Sequence, residues 1–326
     1  MKILITGGGG MIGRKLADRL SQDGQLGGRA IERISVVDVV PAEPFDTSQV
    51  PIVTHVADLR SLESVRQILD GRPDVIFHLA AIVSGEAELD FEKGYGINLD
   101  GTRNLLEALR VADHRPRFVM ASSIAVFGAP FPDSIPDEFL CAPLTSYGTQ
   151  KAICELLVSD YTRRGLIDGL ALRLPTICVR PGKPNAAASG FFSNIIREPL
   201  AGKEAVLPVS KDVLHWHASP RAAVGFLLHA AELDSQTVGS RRAITMPGLP
   251  VTVGEQIEAL RRLAGDGVVE RIRHETDEFI VNMVAGWPRR FDAQRALQLG
   301  FIPDASFEQI IRFHIDDELG GEFVRD

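Results

Sequence analysis

Lys2-Ile3-Leu4-Ile5-Thr6-Gly7-Gly8-Gly9-Gly10-Met11-Ile12-Gly13, near the start of the chain, is the stretch that decides the fold. Its apolar part, residues 2–6, predicts a buried parallel strand, and Arg14–Leu20 predicts a helix. Between them, Gly7-x-x-Gly10-x-x-Gly13 stands where a phosphate-binding turn belongs. Glycines there allow a sharp turn and a close approach to a pyrophosphate, which the N-terminus of the next helix stabilises. A flexible glycine loop is the alternative, but the strand–turn–helix context favours a dinucleotide site.

The second predicted strand, Ile34–Asp38, ends in an acidic residue. A carboxylate at this point can accept hydrogen bonds from both hydroxyls of an adenosine ribose, and it repels a 2′-phosphate. Val39 and Val40 follow it and offer no arginine to hold such a phosphate. The sequence therefore favours NAD over NADP. The gap between the glycines and Asp38 exceeds the usual ~20 residues, which we attribute to a loop over residues 24–32.

Strands and helices alternate through the first half of the chain. The predicted strands are 2–6, 34–38, 52–57, 74–81, 116–121 and 169–174, and the predicted helices between them include 61–69 and 91–112. This alternation predicts an α/β fold, a Rossmann-type doubly wound parallel sheet. Beyond Leu174 a loop over 180–190 and several helical patterns predict a smaller, mostly helical substrate-binding layer at the C-terminal side. We expect an NAD-binding domain over 1–175, with a return segment at about 213–247, and a substrate-binding domain over 176–212 and 248–326.

Ser146-Tyr147-Gly148-Thr149-Gln150-Lys151 has the pattern of a helix start. On a helix, Tyr147 and Lys151 share one face because they stand four residues apart. A phenol ordinarily titrates near 10, and one ammonium ~4 Å away contributes about 4 kcal/mol at an effective dielectric near 20, which is enough to make a phenol a base near neutral pH. The alternative is a surface pair on an ordinary amphipathic helix.

Several polar features fall at one edge of the predicted sheet. Ligands of doubly wound sheets bind beyond the carboxyl ends of the strands. The glycine turn, Asp38, the Ser122-Ser123 pair and the Tyr147 helix all belong to that edge. Ser123 could simply cap a turn, but this position favours a catalytic role.

The composition is that of an ordinary soluble globular protein. The chain has 326 residues, of which 45% are hydrophobic and 24% charged. A net charge of −8, with scattered basic residues, disfavours nucleic acid and anionic membrane as partners. No apolar run approaches the ~18 residues of a membrane span, and the first apolar run is too short for a signal peptide. We expect a cytoplasmic protein that acts on a small molecule.

The cysteines and histidines do not predict a metal site. Cys141, Cys154 and Cys178 are odd in number and widely spaced, which is typical of reduced thiols in a cytoplasm, and packing is their expected role. His215-Trp216-His217 is the nearest approach to a ligand pair, but it lacks nearby carboxylates.

Taken together, these motifs resemble the extended short-chain dehydrogenase/reductases, the group that includes the nucleotide-sugar epimerases. The matching residues are Thr6–Gly13, Asp38, Asp58-Leu59, His78–Ala81, Asn98–Thr102, Ser122–Gly128, Tyr147 and Lys151. They cover the first half of the chain in the family's order.

The resemblance implies the catalytic roles. Tyr147 is the expected general base, Ser123 orients the substrate oxygen, and Lys151 holds the nicotinamide ribose and keeps the phenol acidic. NAD is the implied cofactor and hydride acceptor. The residues implied to bind it are Gly7, Gly10, Met11, Ile12, Gly13, Asp38, Asp58, Leu59, Leu79, Ala80, Ala81, Asn98, Ser122, Tyr147, Lys151 and Pro175.

The chain departs from the nucleotide-sugar epimerases where they bind the substrate diphosphate. Those enzymes carry an asparagine after the sixth strand and an arginine further on, and here Thr176 and Val213 stand at these places. Losing a bidentate arginine removes a charge-assisted contact to phosphate. A UDP-sugar substrate is therefore disfavoured.

The stretches 173–185 and 188–199 resemble one subgroup of the family, the D-erythronate dehydrogenases. This resemblance implies NAD-dependent oxidation of a small sugar acid, D-erythronate, at C2 to 2-oxo-erythronate. The candidate substrate residues are Ser84, Ser123, Tyr147, Thr176, Lys183, Asn194, Arg197 and His217. Arg197 is the first candidate for the carboxylate, although any of these side chains could instead be a solvated surface group or a salt-bridge partner.

Two other functions stay open. An NAD-dependent UDP-hexose 4-epimerase would retain its cofactor and show no net redox change. A non-catalytic NAD-binding regulator would need only the glycine turn and Asp38, so the complete set of Ser123, Tyr147 and Lys151 argues against it. The family resemblance makes a homodimer the expected assembly.

Overall fold

The computed structural model of the protein describes residues 1–45, 49–182 and 189–325. Its strands, numbered in chain order, are β1 (Lys2–Thr6), β2 (Gln25–Leu26), β3 (Arg29–Ala30), β4 (Arg33–Asp38), β5 (Ile52–Val56), β6 (Val75–His78), β7 (Arg117–Ser123), β8 (Ile135–Pro136), β9 (Asp168–Leu174), β10 (Thr176–Ile177), β11 (Ala205–Leu207), β12 (Leu214–Ala218), β13 (Ala243–Thr245), β14 (Leu249–Thr252), β15 (Ile272–His274) and β16 (Phe291–Asp292).

The helices are numbered in the same way. They are α1 (Met11–Asp23), α2 (Leu62–Leu69), α3 (Ser84–Leu89), α4 (Phe91–Gly94), α5 (Gly101–Val111), α6 (Ser146–Arg163), α7 (Gly190–Leu200), α8 (Pro220–Glu232), α9 (Ser235–Val238), α10 (Val253–Ala264), α11 (Asp266–Val269), α12 (Glu278–Ala285), α13 (Gln294–Gln298) and α14 (Phe307–Leu319). A π-helical segment covers Tyr95–Asp100, and a 3-10 turn covers Ile124–Val126.

The chain divides into two compact units. Unit 1 comprises Met1–Val126, Thr145–Arg173 and Val224–Thr245, and unit 2 comprises Phe127–Leu144, Leu174–Ala223 and Met246–Asp326. The units differ from the predicted domains chiefly in two segments. Residues 127–144 belong to unit 2, and the chain returns to unit 1 at residue 224 instead of about 213.

A seven-stranded parallel sheet organises unit 1. Its strand order is β13-β9-β7-β6-β1-β4-β5. The order runs outward in both directions from β1 and β6, which places the topological switch point between these two strands. The Rossmann-type sheet predicted from the sequence is confirmed.

The core of unit 1 lies between this sheet and its flanking helices. The strands carry nearly continuous apolar runs, as expected for parallel strands covered on both faces. Leu4, Ile76 and Phe118 belong to one buried cluster with Leu105 and Leu109 of α5, and each is at most 1% exposed. Ser61 caps α2 by accepting a hydrogen bond from the Ser64 N–H.

The predicted helix over 91–112 is interrupted. It consists of α4, the π-helical segment Tyr95–Asp100 and α5. Gly94, Gly96 and Gly101 lower the local helix preference, and π-helical turns are frequent at functional sites. The predicted loop over 24–32 contains the short hairpin of β2 and β3, which accounts for the long gap before Asp38.

Unit 2 contains more strand than the mostly helical layer that the sequence predicted. It has a three-stranded sheet of β10-β12-β14 and two strand pairs, β11-β15 and β16-β8. These strands are two to five residues long, so hydrophobic periodicity gave little signal for them. Helices α7, α10 and α14 form the core of unit 2 around Phe192, Leu260 and Ile311, which are all fully buried.

The three cysteines form no disulfide. Cys154 and Cys178 are buried and Cys141 is partly buried. Burial of Cys154 and Cys178 agrees with the packing role expected for them. Within the described residues, no helix is both long and apolar enough to cross a membrane, and no cluster of three or more potential metal ligands occurs.

Candidate active site

The glycine turn connects β1 to α1 in unit 1 and packs against Leu79 and Ala80, which follow β6. Gly7 has a φ of +72°, in the left-handed region, and a Cβ atom there would lie 2.5 Å from the Ala80 nitrogen. No side chain fits that space. At Gly13 a Cβ would lie 2.5 Å from the Gly7 carbonyl oxygen. The two glycines thus let α1 and the end of β6 close tightly around the turn, as a dinucleotide site requires.

The N-terminus of α1 suits an anion. Gly10 is its exposed cap and provides no side-chain hydrogen bond, and the first turn has no acidic residue. The N–H groups of the first turn of a helix have no partner within the helix, and the helix dipole favours negative charge there. Gly10, Met11, Ile12 and Gly13 therefore fit the pyrophosphate for which the sequence proposed them.

Asp38 faces the glycine turn from the end of β4. Its carboxylate accepts a hydrogen bond from the Gly9 N–H at 3.0 Å and another from the Val39 N–H at 2.8 Å. The Arg14 guanidinium is bound elsewhere, to the carbonyls of Glu43 and Pro44. The carboxylate is therefore fixed beside the turn, where it can accept hydrogen bonds from the hydroxyls of a ribose.

Asp58 and Leu59 follow β5. The Asp58 carboxylate accepts hydrogen bonds from the Arg60 side chain at 2.6–3.1 Å and from the Arg60 N–H at 2.9 Å. The Arg60 side-chain hydrogen bond lowers the pKa of Asp58. Leu59 is buried, and its carbonyl accepts from the Asn104 amide. Arg60 thus holds the Asp58 carboxylate in place, and 37% of the Asp58 side chain remains exposed.

A buried hydrogen-bond chain runs beneath this edge of the sheet. His78 lies between Thr6 Oγ1 at 2.7 Å and Thr102 Oγ1 at 2.8 Å, and the Thr102 hydroxyl donates to the Asn98 carbonyl at 2.6 Å. Because Thr102 gives its proton to Asn98, it accepts from Nε2 of His78, and Nδ1 of His78 accepts from Thr6. Burial, together with the charge of Lys151, lowers the pKa of His78 to about 3, so the ring is neutral.

Asn98 connects the loop after β6 to α6. Its side-chain oxygen accepts from the Ile82 N–H, and its amide donates to the Ile82 carbonyl and to Gln150 Oε1 at 2.7 Å. The side chain is 1% exposed. In this arrangement Asn98 ties the loop at Ile82 to α6 at Gln150, and its side-chain polar atoms all have protein partners.

Tyr147 and Lys151 lie on one face of α6, as their spacing predicted. Thr145 caps the helix by accepting from the Gly148 N–H at 3.0 Å. The Lys151 Nζ lies 5.7 Å from the centre of the Tyr147 ring and donates to the Ala121 carbonyl at 2.9 Å. Lys151 is only 4% exposed, whereas Tyr147 is partly exposed. An ammonium has three N–H donors, and the Ala121 bond uses one.

The two serines at the end of β7 point in opposite directions, as successive strand residues do. Ser123 is partly exposed, and its Oγ accepts from the Ala125 N–H at 3.1 Å, so its own proton can be donated to a ligand. Ser122 is buried and donates to the Glu155 carboxylate at 2.6 Å. The sequence proposed Ser122 for the cofactor, but its side chain is turned toward α6.

Other residues that the sequence predicted to bind the cofactor or the substrate belong to one or the other unit. Leu79, Ala80 and Ala81 follow β6 in unit 1 and are partly exposed. Ser84 begins α3 in unit 1 and is partly buried. Pro175 is a buried residue of unit 2, between the end of β9 and β10.

Thr176 forms a polar pair with His215 in unit 2. The Thr176 hydroxyl lies 2.7 Å from Nε2 of His215. Burial lowers the pKa of His215 to about 4, although a hydrogen bond to the backbone of Pro288 opposes this shift. With one ring N–H directed to Pro288, the other ring nitrogen accepts from Thr176. Sequence reasoning considered His215 only as half of a disfavoured metal-ligand pair, and no local pattern indicates that it contacts Thr176.

Arg197 is already engaged within unit 2. Its guanidinium donates to the Arg180 carbonyl, to Asn194 Oδ1 and to Glu198 Oε1, each at 2.8 Å, and Arg197 is 7% exposed. This commitment makes Arg197 a weaker candidate for a substrate carboxylate than the sequence implied, and it also occupies the Asn194 oxygen. Lys183, another candidate cation, lies outside the described residues.

His217 is enclosed by the core of unit 2. Its ring is fully buried, 4.7 Å edge-on from Phe192, and its Nε2 lies 2.8 Å from Nε2 of Gln256. Burial, together with the neighbouring His215 and Arg180, holds the pKa of His217 well below its usual range. A ring without exposed surface offers nothing to a substrate in this conformation, in contrast to the sequence-based prediction for it.

Comparison with known proteins identifies related sequences over almost the whole chain. The model of the NAD dependent epimerase/dehydratase family matches residues 3–218. A D-erythronate dehydrogenase of Cupriavidus necator is 49% identical over 97% of this chain and 98% of its own length. A D-erythronate dehydrogenase of Haemophilus influenzae is 42% identical over 98% of this chain and all of its own length.

Solved structures agree on the fold. A crystal structure described as the nucleoside-diphosphate-sugar epimerase from Agrobacterium tumefaciens is 60% identical and superposes with a TM-score of 0.96, covering 99% of this chain and 95% of that one. The L-threonine dehydrogenase of Clostridium difficile is 21% identical, with a TM-score of 0.86 over 99% of both chains. The second likeness concerns the fold alone.

Proposed function

Because the chain belongs to the NAD dependent epimerase/dehydratase family, as an NAD-dependent dehydrogenase of the extended short-chain type, we propose that it oxidises a small sugar acid. D-Erythronate is the favoured substrate, with its C2 hydroxyl converted to the ketone of 2-oxo-erythronate. The observation that carries this proposal is the position of Lys151 in unit 1, 5.7 Å from the centre of the Tyr147 ring and bound to the Ala121 carbonyl, two residues before Ser123. The 49% identical relative named D-erythronate dehydrogenase supports the choice of substrate.

In the proposed reaction, Tyr147 removes the proton of the substrate hydroxyl. Ser123 donates its hydroxyl proton to the same oxygen, which orients the carbinol and stabilises the charge that develops there. Lys151, fixed at Ala121 by a 2.9 Å hydrogen bond, brings a positive charge close to the phenol. The glycine turn and Asp38 would hold NAD, which would supply the acceptor for the hydride of the carbinol carbon.

The substrate carboxylate needs a cationic partner, and we assign this role to Arg180 in unit 2. Arg180 is partly exposed, and its charge contributes to the lowered pKa of His215, the hydrogen-bond partner of Thr176. It donates to the Ile177 carbonyl and to Ser189 Oγ, each at 3.0 Å, which fixes its orientation. Thr176, with Ser84 and Asn194, remains a proposed partner for substrate hydroxyls.

A UDP-hexose 4-epimerase is the second candidate. The 60% identical chain is described as a nucleoside-diphosphate-sugar epimerase, which favours it. Against it, Thr176 and Val213 replace the family's asparagine and arginine that hold a diphosphate. An epimerase would keep NAD bound and accumulate no NADH.

We also propose that the protein is a homodimer and that it is located in the cytoplasm. Helices near the active site carry exposed apolar side chains, with Leu89 87%, Phe91 60% and Leu156 71% exposed. We propose that a second copy covers them in a homodimer, which agrees with the preference of large apolar patches for protein partners. Cys141, Cys154 and Cys178 form no disulfide, which supports a cytoplasmic location.

One experiment separates the two candidate reactions. Purified protein is mixed with excess NAD and, in parallel, with four- to six-carbon aldonates or with UDP-glucose. The proposal predicts many NADH molecules per protein with D-erythronate and no UDP-galactose by NMR. Interconversion of the UDP-hexoses without NADH would select the epimerase, and no reaction with any aldonate would refute the sugar-acid dehydrogenase.

A further inference from the structure

The carboxylate of Glu155 lies one helical turn beyond Lys151 on the buried face of α6. Glu155 is 3% exposed, although carboxylates are seldom buried without partners. Its Oε1 accepts from Ser122 Oγ at 2.6 Å, and both of its oxygens accept from the Arg173 guanidinium at 2.8–3.1 Å. Glu155 thus joins three elements of unit 1, namely α6, β7 and the end of β9.

Two side chains of α6 bind two successive residues of β7. Lys151 donates to the Ala121 carbonyl at 2.9 Å, and Glu155 accepts from the Ser122 hydroxyl at 2.6 Å. Both helix residues point the same way because they are four apart. The next strand residue is Ser123, whose side chain points to the opposite, accessible side. The contacts of Ala121 and Ser122 with α6 therefore fix the position of the Ser123 hydroxyl relative to this helix.

A buried ion pair contributes little net free energy to the stability of a fold. Desolvating two charges costs about as much as their attraction returns, and apolar residues of similar volume often do as well or better, so the better-attested use of such a pair is to specify one geometry. Arg173 and Glu155 have side chains only 10% and 4% exposed. Their directional hydrogen bonds permit one arrangement of α6 against β7 and β9, which apolar packing would specify less tightly.

We propose that Glu155 is a positioning residue for the dehydrogenation, acting through Ser122 and Arg173. It holds the Ser123 hydroxyl at the distance from Tyr147 and Lys151 that the shared substrate oxygen requires. The proposal rests on the proposed function, because it presumes that Ser123 and Tyr147 act on one oxygen. Small errors in such a distance are costly, since a displacement of about 1 Å can slow a reaction by ~100-fold.

Ser122→Ala is the sharpest test, because it removes one hydrogen bond and leaves the Glu155–Arg173 pair intact. We expect kcat to fall on the order of tenfold to a hundredfold, while the KM for the sugar acid and the affinity for NADH change less than about twofold. Hydrogen exchange should rise in peptides that cover 121–124. Ser159→Ala, on the same helix, is the matched control and should match the unaltered protein in every measurement.

A second pair of variants separates positioning from folding. Glu155→Gln keeps the shape but removes the carboxylate charge that the Arg173 guanidinium binds at 2.8–3.1 Å, so we expect a lower Tm and a lower kcat. Combining Glu155→Leu with Arg173→Met removes both charges, which should restore Tm. If the combined variant also recovers the full kcat, the role of Glu155 is structural and the proposal is wrong.

The remaining outcomes are equally decisive. Unchanged kcat and unchanged exchange in Ser122→Ala would overturn the proposal. A tenfold loss of NADH affinity in that variant would instead make Ser122 a cofactor contact. If the unaltered protein oxidises no aldonate, the proposed function fails on its own, and hydrogen exchange together with NADH affinity still decides whether Glu155 holds residues 121–124 in place.

Discussion

The Lys151 ammonium lies 5.7 Å from the centre of the Tyr147 ring and is anchored to the Ala121 carbonyl at 2.9 Å. The anchor keeps a positive charge on one side of the phenol with little freedom to move, because Lys151 is almost completely buried. A fixed charge costs no reorganisation when charge develops in the reaction. This pair is therefore the electrostatic centre of the proposed site.

Replacing Lys151 tests that relationship. In Lys151→Met we expect kcat to fall by at least about 100-fold, since a charge at this distance is worth a few kcal/mol at an effective dielectric near 20. NADH affinity should also fall, because the proposed ribose contact is lost. Steady-state kinetics and NADH fluorescence titration check both effects. Lys93→Met, at an exposed lysine paired with Glu86, is the control. Unchanged turnover in Lys151→Met would contradict the assigned role.

Asp38 should determine the choice between NAD and NADP. Its carboxylate stands beside the glycine turn, bound to the Gly9 N–H, where it would repel a 2′-phosphate. In Asp38→Ser we expect the ratio of kcat/KM for NADP to that for NAD to rise at least about tenfold, which corresponds to 1.4 kcal/mol. Asp113→Ser, at an exposed aspartate, should leave the ratio unchanged. A fixed ratio in Asp38→Ser would mean that the ribose binds elsewhere.

Arg180 and Arg197 should behave differently when each is replaced by methionine. Arg180→Met should raise the KM for the sugar acid at least about tenfold, because a charge-assisted hydrogen bond to the carboxylate contributes about 1.5–3 kcal/mol. Arg197→Met should mainly lower Tm, because it removes the buried guanidinium that binds the Glu198 carboxylate and the Arg180 carbonyl. Kinetics and thermal unfolding of both variants check this. If Arg197→Met alone raises KM, the carboxylate belongs to Arg197.

Acid should destabilise the fold through its buried histidines. Burial lowers the pKa of His78 to about 3 and that of His215 to about 4, compared with about 6.5 for an unfolded chain. Because the unfolded state binds protons first, stability that is complete above pH 6.5 is lost as pH falls toward 4. Each histidine should remove about 2 kcal/mol between pH 7.5 and 5. Urea unfolding at these pH values checks the slope, and a flat profile would contradict it.

Unit 1 could be predicted well because its signals are local. Apolar runs, the glycine spacing, Asp38 at a strand end and the four-residue spacing of Tyr147 and Lys151 can each be recognised within a few residues. What sequence reasoning missed depends on distant partners. The sequence predicts that Ser122 and Asn98 bind the cofactor. In the structure, the Ser122 side chain binds Glu155, and the Asn98 side chain binds Ile82 and Gln150. No local pattern shows which way a polar side chain turns.

Unit 2 was harder to predict for a related reason. Strand β12 places His215 and His217 in the interior, where burial keeps both neutral. Histidine alternating with other residues resembles a polar segment, so the sequence pattern does not predict this strand. The sequence predicts Arg197 as the partner of a carboxylate because no local pattern reveals its acceptors, one of which is a backbone carbonyl 17 residues away. Only tertiary structure shows that such a cation is already engaged.

The most direct test of the central claim compares the unaltered protein with Tyr147→Phe in steady-state NADH formation from NAD and D-erythronate. Loss of a positioned general base typically costs about 10²–10⁴-fold in rate. We predict many turnovers for the unaltered protein and a kcat at least ~100-fold lower for Tyr147→Phe, with NADH affinity retained. No NADH from the unaltered protein, or equal turnover by the two proteins, would contradict the claim.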